Sequence, residues 1–347
     1  MPETYPEAAT PFNTCPTREN HKPFPRMKFP LLPALIALAS LAGCATGPTP
    51  WQPHKNAIFS YLGNAAQGAP TDPAPTHADV SYGDHERHRF DFWQAQGEGP
   101  RPLFLYFHGG GFGFGNKWEL RPSVLRSILN QGISVISCNY RLVESGPLPQ
   151  PLHDGARALQ HIRHHSADFN IDPNRIACGG YSAGGLISLW LAFHDDLADP
   201  DSPDPIARQS TRITCAAVSD APTLLVAPEV YGWFQVPRLR EFPSTRRCFE
   251  IKSLEELHDP RVVDLARQVS PYTHVSPGDP PVYLAHTGRN RSVNRFTLPT
   301  IWIHHPLFGI KLRQRIHDAG NQCTLHYRNG PPPAQGPITF LTQHLTP

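Results

Sequence analysis

The sequence lacks a surplus of charge of either sign. Its 347 residues include 31 Lys and Arg against 29 Asp and Glu, so the formal net charge is +2. It also lacks any basic block and any stripe of alternating basic and aromatic residues. Proteins that bind nucleic acids neutralise phosphates with clustered Lys and Arg. We therefore expect no nucleic-acid partner.

Long hydrophobic runs are scarce as well, and none matches the stretch of about 20 residues that crosses a bilayer as a helix. The apolar run at residues 31–41 follows two basic residues, Arg26 and Lys28, and precedes small residues, as in a secretory signal peptide. Its end, Leu41-Ala42-Gly43-Cys44, resembles the lipobox of bacterial lipoproteins, in which the cysteine is acylated and becomes the mature N-terminus. The alternative is a secretory signal with an incidental cysteine.

This pattern predicts how the chain is organised. We predict that residues 1–26 are an unstructured or untranslated leader, because the basic flank favours Met27 as the start. Residues 27–43 are the predicted signal peptide, 44–75 a lipid-anchored tether, and 76–347 a single domain. Lipid on Cys44 would anchor that domain in a bacterial cell envelope, at the outer membrane facing the periplasm.

A disulfide framework is a further absence that the sequence predicts. Of the seven cysteines, Cys15 precedes the predicted signal and Cys44 would carry lipid. Four of the other five lie in apolar runs typical of strands, where cysteine behaves as a small core residue. These four are Cys138, Cys178, Cys215 and Cys323, and the fifth is Cys248.

From residue 80 onward, apolar runs rich in strand formers alternate with longer segments of helical period. The predicted strands cover residues 87–94, 102–108, 133–139, 175–180, 213–219, 281–286 and 322–328. The predicted helices cover residues 118–131, 152–166, 183–194, 307–319 and 337–345. This alternation predicts an α/β fold with a mostly parallel central sheet and helices on both faces. Residues 222–270, rich in prolines and charges, predict an insertion after the sixth strand of the fold that forms a lid over the site.

The stretch Gly180-Tyr181-Ser182-Ala183-Gly184 fits the pattern G-x-S-x-G between a predicted strand and a predicted helix. In that setting the glycines permit a sharp turn that exposes the serine hydroxyl, with a helix N-terminus near developing negative charge. Ser182 is therefore the predicted nucleophile. The alternative is a small residue in a structural turn, but ligand sites of parallel sheets lie at such strand ends.

A second glycine-rich motif, His-Gly-Gly-Gly at 108–111, follows the predicted strand at 102–108. Loops of this kind supply backbone N–H donors to the oxyanion in lipases and esterases. A phosphate-binding loop is the competing interpretation, but the Lys-Ser/Thr pair of a P-loop is missing.

Together with "NYRL" at 139–142, "NIDPNRIACGGYSAGG" at 170–185 and "SPYTHVSPGDPPVYLAH" at 270–286, these motifs resemble the α/β-hydrolase superfamily. The resemblance is to its carboxylesterase group related to hormone-sensitive lipase, and it covers residues of about 80–345. It implies the α/β-hydrolase fold and Ser182 as the nucleophile. It implies an oxyanion hole formed by the N–H groups of Gly110, Gly111 and Ala183.

The same resemblance implies supporting roles for three further residues. His108 is expected to fix the glycine-rich loop by hydrogen bonding rather than to act as a base. Arg141 and Asp154 are expected to form an internal ion pair, although Asp154 could equally be a helix N-cap.

The acid and the base of the expected triad are missing from the positions that the resemblance implies. In this fold they follow the nucleophile in the order Asp or Glu, then His. The acid position after residue 286 holds "TGRNRSV", so Asn290 stands where an aspartate is expected. The loop after the last predicted strand, "YRNGPPPAQGP", contains no histidine.

Two replacements are candidates. Asp220, which follows the strand at 213–219, could supply the acid, although a turn or helix-capping aspartate is the simpler interpretation. His304 and His305, on the segment after the seventh strand of the fold, could supply the base, although such a pair is more often solvated or packed.

These features predict a serine carboxylic ester hydrolase that acts on small or medium acyl esters without a metal or an organic cofactor. Its activity is expected to be weak, because a nucleophile and oxyanion donors retain only a residual rate without the full triad. The alternative is a catalytically inactive α/β-hydrolase-fold protein that binds a ligand in the cell envelope. The expected partners are a small-molecule ester and, through the lipid anchor, a membrane.

Overall fold

A computed structural model describes residues 72–346 of the chain. The predicted leader, the signal peptide, the lipidation site Cys44 and the tether up to residue 71 lie outside the described residues. Within residues 72–346, no helix is both long enough and apolar enough to cross a membrane.

One sheet of eight strands forms the centre of the described domain, in the order β1-β2-β4-β3-β5-β6-β7-β8. The strands are β1 (His77–Ser81), β2 (Arg89–Trp93), β3 (Arg101–Phe107), β4 (Ser134–Cys138), β5 (Ile171–Tyr181), β6 (Cys215–Ser219), β7 (Val282–His286) and β8 (Cys323–Tyr327). β2 is antiparallel to both β1 and β4, and every other neighbouring pair is parallel. The predicted mostly parallel sheet is confirmed.

The helices alternate with the strands, as the sequence pattern predicts. They are α1 (Pro122–Leu129), α2 (Gln150–His164), α3 (Ala183–Phe193), α4 (Ala227–Phe234), α5 (Thr245–Phe249), α6 (Pro260–Gln268), α7 (Pro271–His274), α8 (Pro299–Trp302), α9 (Pro306–Asp318) and α10 (Pro337–Leu345). Two 3-10 helices cover Lys117–Glu119 and Leu254–His258. The strand β1 was not predicted, because it is a mostly exposed edge strand without a hydrophobic period.

The central strands are apolar and covered on both faces, as parallel sheets require. Every residue of β4 and β7 is buried. Alternate residues of β3 show the two layers: Leu105 and Phe107 pack with Leu159 of α2, whereas Phe104 packs with Phe340 of α10. Helices on both faces thus close the core around the sheet.

Between β6 and β7, the chain forms the helices α4 to α7 and one 3-10 helix, and no strand. This stretch contains residues 222–270, the predicted insertion. Its buried residues Leu239, Phe249 and Val262 belong to the same hydrophobic cluster as Phe107 of β3 and Phe112, which follows the glycine-rich motif. The insertion is therefore packed against the edge of the sheet where the parallel strands end.

Candidate active site

Ser182 lies at a sharp turn between a strand and a helix. β5 ends at Tyr181 and α3 begins at Ala183, so a single residue makes the connection. Ser182 has φ 54° and ψ −114°, and a positive φ of this kind costs a non-glycine residue about 1–3 kcal/mol. Its backbone N–H donates to the Ser219 carbonyl at 2.9 Å, which holds the turn against β6. This is the conformation expected of a nucleophile turn.

The glycines beside Ser182 are required by close backbone contacts. A Cβ on Gly184 would collide with the carbonyl oxygens of Phe107 and His108, and a Cβ on Gly180 would lie 2.5 Å from the Phe107 oxygen. The first turn of α3 therefore sits directly against the end of β3. As a result, the serine turn and the glycine-rich loop after β3 meet at one point.

His304 provides the imidazole beside the serine. Its Nε2 lies 2.9 Å from the Ser182 Oγ, within the range that links a nucleophile to its base. The Tyr181 ring packs against the imidazole, with the two ring centroids 5.3 Å apart. His304 lies between α8 and α9, so the imidazole comes from the connection between β7 and β8 rather than from the loop after β8.

Burial keeps the His304 imidazole neutral near pH 7. Desolvation lowers its pKa to about 4, and a hydrogen bond with the Thr300 backbone opposes part of that shift. Because Nε2 faces Ser182, Nδ1 is the nitrogen that donates to Thr300. Among the described residues, no carboxylate oxygen lies within 4.0 Å of a ring nitrogen of His304. A backbone carbonyl, instead of an aspartate, orients this ring.

His305 caps a helix and does not contact the serine. Its Nδ1 accepts a hydrogen bond from the Leu307 N–H at 3.0 Å, at the start of α9. Its Nε2 lies 2.8 Å from the Arg291 carbonyl oxygen. The prediction of His305 as a candidate base is therefore wrong, because both ring nitrogens are engaged in holding the backbone.

Asp220 is fully buried but does not contact His304. Its Oδ1 accepts from the Thr287 N–H at 2.8 Å, and the Thr287 hydroxyl lies 3.0 Å from Oδ2. The structure thus favours the simpler interpretation, a turn aspartate that ties the end of β6 to the end of β7. Burial raises the Asp220 pKa to about 6, which the bonds from Thr287 only partly offset.

His286, at the end of β7, lies between these two groups. Its Nδ1 contacts the His304 carbonyl oxygen at 3.3 Å, so it supports the backbone of the residue beside Ser182. The same Nδ1 is 3.9 Å from the Asp220 Oδ1, which is too far for a hydrogen bond. Burial lowers the His286 pKa to about 3, so the ring is neutral near pH 7 and forms no ion pair with Asp220.

Asn290 does not take the place of the missing acid. It is exposed, its backbone N–H donates to the Asn329 Oδ1 at 2.8 Å, and its carbonyl accepts from the Asn329 Nδ2 at 3.3 Å. The prediction of Asn290 at the acid position is therefore wrong. These bonds join the loops after β7 and β8 at the surface.

The glycine-rich loop and the start of α3 present unpaired amide groups. Gly111 and Ala183 line the same pocket as Ser182. Gly110 and Gly111 have φ values of 103° and 55°, which glycine adopts at little cost. Within residues 72–346, the N–H groups of Gly110, Gly111 and Ala183 donate to no protein acceptor. They remain available to an oxygen atom of a ligand.

His108 and Tyr140 fix the glycine-rich loop, as predicted for His108. The His108 Nδ1 bonds to the Gly109 carbonyl at 2.7 Å, and the two aromatic rings stack with centroids 4.2 Å apart. The Tyr140 hydroxyl donates to the His108 carbonyl at 2.8 Å. Burial lowers the His108 pKa to about 3, so the brace is a neutral one.

The predicted ion pair between Arg141 and Asp154 is confirmed. The Arg141 Nη2 lies 2.6 Å from the Asp154 Oδ1, and the Arg141 backbone N–H donates to Oδ2 at 2.8 Å. The His88 Nε2 lies 3.1 Å from Oδ1. Asp154 lies inside α2, so the alternative of a helix N-cap is wrong.

The insertion contacts the glycine-rich loop directly. The Ser244 hydroxyl donates to the Gly111 carbonyl at 2.5 Å, and a Cβ on Gly111 would collide with the Phe242 ring. Beside them, the Leu148 N–H donates to the Cys248 carbonyl at 3.1 Å. The path of the loop at Gly111 therefore depends on the insertion.

A pocket of about 870 Å³, including its opening to solvent, lies at Ser182. The insertion contributes most of its lining, and most of that lining is apolar. The apolar wall includes Leu224, Val230, Leu239, Phe249 and Leu257, and Trp302 and Ile303 reach it from the segment before His304. The pocket can therefore accept an apolar group next to the serine hydroxyl.

The possible metal ligands of the described part of the chain do not cluster, and its cysteines form no disulfide. Within residues 72–346, no group of three or more His, Cys, Asp and Glu could hold a metal ion. The five cysteines of this part are free thiols, four of them buried. Burial raises the pKa of Cys215 and of Cys248 to about 12, so these thiols are protonated and unreactive near pH 7.

Sequence reasoning missed the groups that act through their backbones or from the insertion. The Thr300 backbone has no side-chain signature, and Ser244 stands in a segment without a motif. His286 ends the stretch "SPYTHVSPGDPPVYLAH", and its position gives no sign that the ring is buried at the end of a strand. Tyr140 lay in the motif "NYRL", which was the one available signal for its role.

A mostly parallel sheet, a serine on a strained strand-to-helix turn and a histidine 2.9 Å from its hydroxyl define an α/β hydrolase. The family model BD-FAE matches residues 91–296, which is more than half of the chain. The chain belongs to the BD-FAE family.

The chain is also similar to known esterases. It is 27% identical over 223 residues to the "Probable carboxylic ester hydrolase LipM" of Mycobacterium tuberculosis, which covers 62% of this chain and 48% of LipM. The chain thus spans about half the length of this curated relative.

Two solved structures share the fold. A truncated form of a carbohydrate esterase from gut microbiota has a TM-score of 0.59 and 18% identity, over 75% of this chain and 90% of that one. An acetyl ester-xyloside bifunctional hydrolase from Caldicellulosiruptor lactoaceticus has a TM-score of 0.55 and 23% identity, over 81% and 85%. At these identities the likeness shows the fold.

Replacing Ser244 by alanine removes the donor that holds the Gly111 carbonyl. We expect residues 108–115 to exchange amide hydrogens about fivefold faster, because one hydrogen bond contributes about 1 kcal/mol to local stability. Hydrogen-exchange mass spectrometry measures this. Ser270→Ala is the matched control, because Ser270 is a buried insertion serine that bonds to Leu225 and Ala266 instead. Equal exchange of residues 108–115 in both variants would contradict the expectation.

The buried carboxyl of Asp220 predicts a pH-dependent stability. Its pKa is raised from 3.8 to about 6 on folding, so its charged form opposes folding, and stability is lost as the pH rises from about 4 through 6. Asp220→Asn keeps the acceptor for Thr287 but does not ionise. Relative to the parent, this variant should gain up to about 3 kcal/mol of unfolding free energy between pH 4 and pH 7. Denaturant titrations at several pH values test this, and a constant difference would refute it.

Proposed function

We propose that the chain is a carboxylic ester hydrolase with Ser182 as nucleophile and His304 as general base. The observation that carries this proposal is the 2.9 Å contact between the His304 Nε2 and the Ser182 Oγ. In the first step, His304 takes the hydroxyl proton while Oγ attacks the ester carbonyl carbon. The negative charge that develops on the carbonyl oxygen is stabilised by the N–H groups of Gly110, Gly111 and Ala183.

The remaining steps use the same two side chains. The His304 imidazolium gives its proton to the leaving oxygen as the tetrahedral intermediate collapses, which releases the alcohol and leaves the acyl group on Ser182. A water molecule then attacks the acyl carbonyl while His304 takes its proton. Collapse of the second intermediate releases the acid and returns the proton to the Ser182 oxygen.

The proposed enzyme is slow, because no carboxylate of residues 72–346 contacts the His304 ring to stabilise the imidazolium. The Thr300 carbonyl can hold the tautomer with Nδ1 protonated, but it carries no charge to stabilise the protonated ring. In a serine protease, exchanging the triad aspartate for asparagine lowers kcat by about ten-thousandfold. The arrangement around His304 supports a similar loss.

The pocket supports small or medium acyl esters as substrates. Its apolar wall lies next to the serine hydroxyl, where the acyl group of a bound ester must be. Burial of apolar acyl carbons contributes about 0.8 kcal/mol for each CH₂ group. LipM and the carbohydrate esterase from gut microbiota are named for ester hydrolysis, which supports the same reaction class for this chain.

A second candidate function is a catalytically inactive α/β-hydrolase-fold protein that binds an apolar ligand in the same pocket. The specific observation in its favour is that no carboxylate among the described residues contacts His304. In this case the serine turn persists because its glycines pack the start of α3 against β3.

Substitutions at the two proposed catalytic residues distinguish these functions. We expect Ser182→Ala and His304→Gln each to lower kcat for p-nitrophenyl butyrate by about a hundredfold. No acid among the described residues lies beside the His304 ring, so the matching comparison is a serine protease without its acid. There, kcat is about a hundredfold higher when only the acid is removed than when the acid, the base and the nucleophile are all removed.

His305→Asn is the matched control, because asparagine also caps helices and His305 does not contact Ser182. Its rate should stay within about threefold of the parent. A parent rate equal to that of Ser182→Ala would exclude the enzyme and leave the binding function.

The buried imidazole predicts an unusual pH profile for the proposed enzyme. The base must be unprotonated, and burial lowers the His304 pKa to about 4. We therefore expect kcat/KM to be lost as the pH falls through about 4 and to be level from pH 5.5 to 8. Initial rates between pH 3.5 and 8, with circular dichroism to verify folding, measure this. A midpoint near 6.5, the value of an exposed histidine, would show that another group is the base.

A further inference from the structure

The segment before His304 exposes apolar side chains. Four large apolar residues of the described chain are prominently exposed: Phe114 at 48%, Phe296 at 72%, Leu298 at 51% and Ile301 at 36%. Three of them lie within six residues, on what we call the 289–301 segment. Exposed apolar residues scattered singly are common, but three of them within six residues of one segment indicate an interaction surface.

The 289–301 segment is also strongly basic. Arg289, Arg291 and Arg295 are exposed and form no ion pair with any described residue. From residue 280 to 317 the sequence contains six Lys and Arg and no Asp or Glu. The Arg295 guanidinium lies 4.7 Å from the Phe296 ring centroid, so a cation and the most exposed ring form one unit.

We propose that the 289–301 segment docks on an anionic phospholipid surface. Segments that bind such surfaces combine Lys or Arg, which meet the negative headgroups, with Phe or Leu, which enter the boundary of the acyl chains. The exposed arginines and the exposed Phe296 and Leu298 lie in one short segment, so they fit the headgroups and the acyl-chain boundary of such a surface at the same time. A second copy of this chain, meeting the first about a two-fold axis, would oppose arginine to arginine.

The 289–301 segment leads directly into the wall of the pocket at Ser182. Trp302 and Ile303, which directly follow the segment, line the pocket, and His304 contacts Ser182. A lipid surface under the 289–301 segment would therefore lie close to the pocket that holds the proposed acyl site. This consequence rests on the proposed function, whereas the docking does not.

Hydrogen exchange tests the docking locally. The full chain is mixed with vesicles of equal phosphatidylglycerol and phosphatidylcholine, or of phosphatidylcholine alone, and exchange in residues 289–301 is followed. We expect the anionic vesicles to slow this exchange at least fivefold, the neutral vesicles to leave it unchanged, and 0.5 M salt to abolish the effect. Because the signal comes from the segment itself, lipid binding by residues 1–71 does not mimic it.

Two double variants separate the apolar and the basic contributions. The basic variant is Arg289→Gln/Arg295→Gln. It should raise the lipid concentration for half-protection at least tenfold, since each arginine near an anionic surface is worth about a fivefold change. The apolar variant, Phe296→Ser/Leu298→Ser, should raise it by at least as much, because it removes the side chains that enter the acyl-chain boundary. Arg126→Gln/Arg212→Gln removes the same charge elsewhere and should behave as the parent. Hydrolysis of soluble p-nitrophenyl butyrate should be unchanged in Phe296→Ser/Leu298→Ser, so a loss of docking and a loss of catalysis are distinguishable.

Three results would overturn the proposal. One is the absence of protection by anionic vesicles, and another is equal protection by neutral vesicles. The third is protection of residues 289–301 that grows with protein concentration without lipid, which would make the segment a contact between two copies of the chain.

Discussion

The site depends on the absence of a side chain where α3 meets the end of β3. At Gly184 a Cβ would occupy the space of the Phe107 and His108 carbonyl oxygens, so only glycine lets the helix begin there. That contact forces the one-residue connection through Ser182 and its positive φ. It also brings the glycine-rich loop, which continues directly from β3, to the same place. The strained turn at Ser182 and the unpaired amides beside it therefore both depend on one packing contact.

The electrostatics of the site follow from burial more than from charge. The rings of His108, His286 and His304 all have lowered pKa values, and desolvation is the largest cause in each case. Asp220, the nearby acid, has its pKa raised by the same effect. The interior around Ser182 thus favours the neutral forms of these four groups, which suits the proposed base at rest but gives little stabilisation to its protonated form.

The sequence predicted the elements that have a period or a motif. All seven predicted strands, the five predicted helices and the turn at Ser182 are present, because apolar alternation and glycine spacing encode them directly. The sequence could not choose between His304 and His305, since adjacent histidines look equivalent until the structure shows that His305 caps a helix at Leu307. It also left the role of Asp220 open, because its bonds to Thr287 join two strand ends that are distant in sequence. The contact of Ser244 with Gly111 was beyond reach, because it joins segments far apart in the chain and leaves no local pattern. The bond between His304 and Thr300 is local, but it uses a backbone group, which any residue can supply and which therefore leaves no signature in the sequence.

The bond from Ser244 to the Gly111 carbonyl changes how the insertion should be regarded. A cover that merely rested on the pocket could swing away and leave the glycine-rich loop as it was. Here one hydroxyl and the Phe242 ring hold that loop from above, so moving the cover would also release the loop. The insertion is therefore part of the wall of the site as well as its cover, and displacing it would also change the path of the glycine-rich loop.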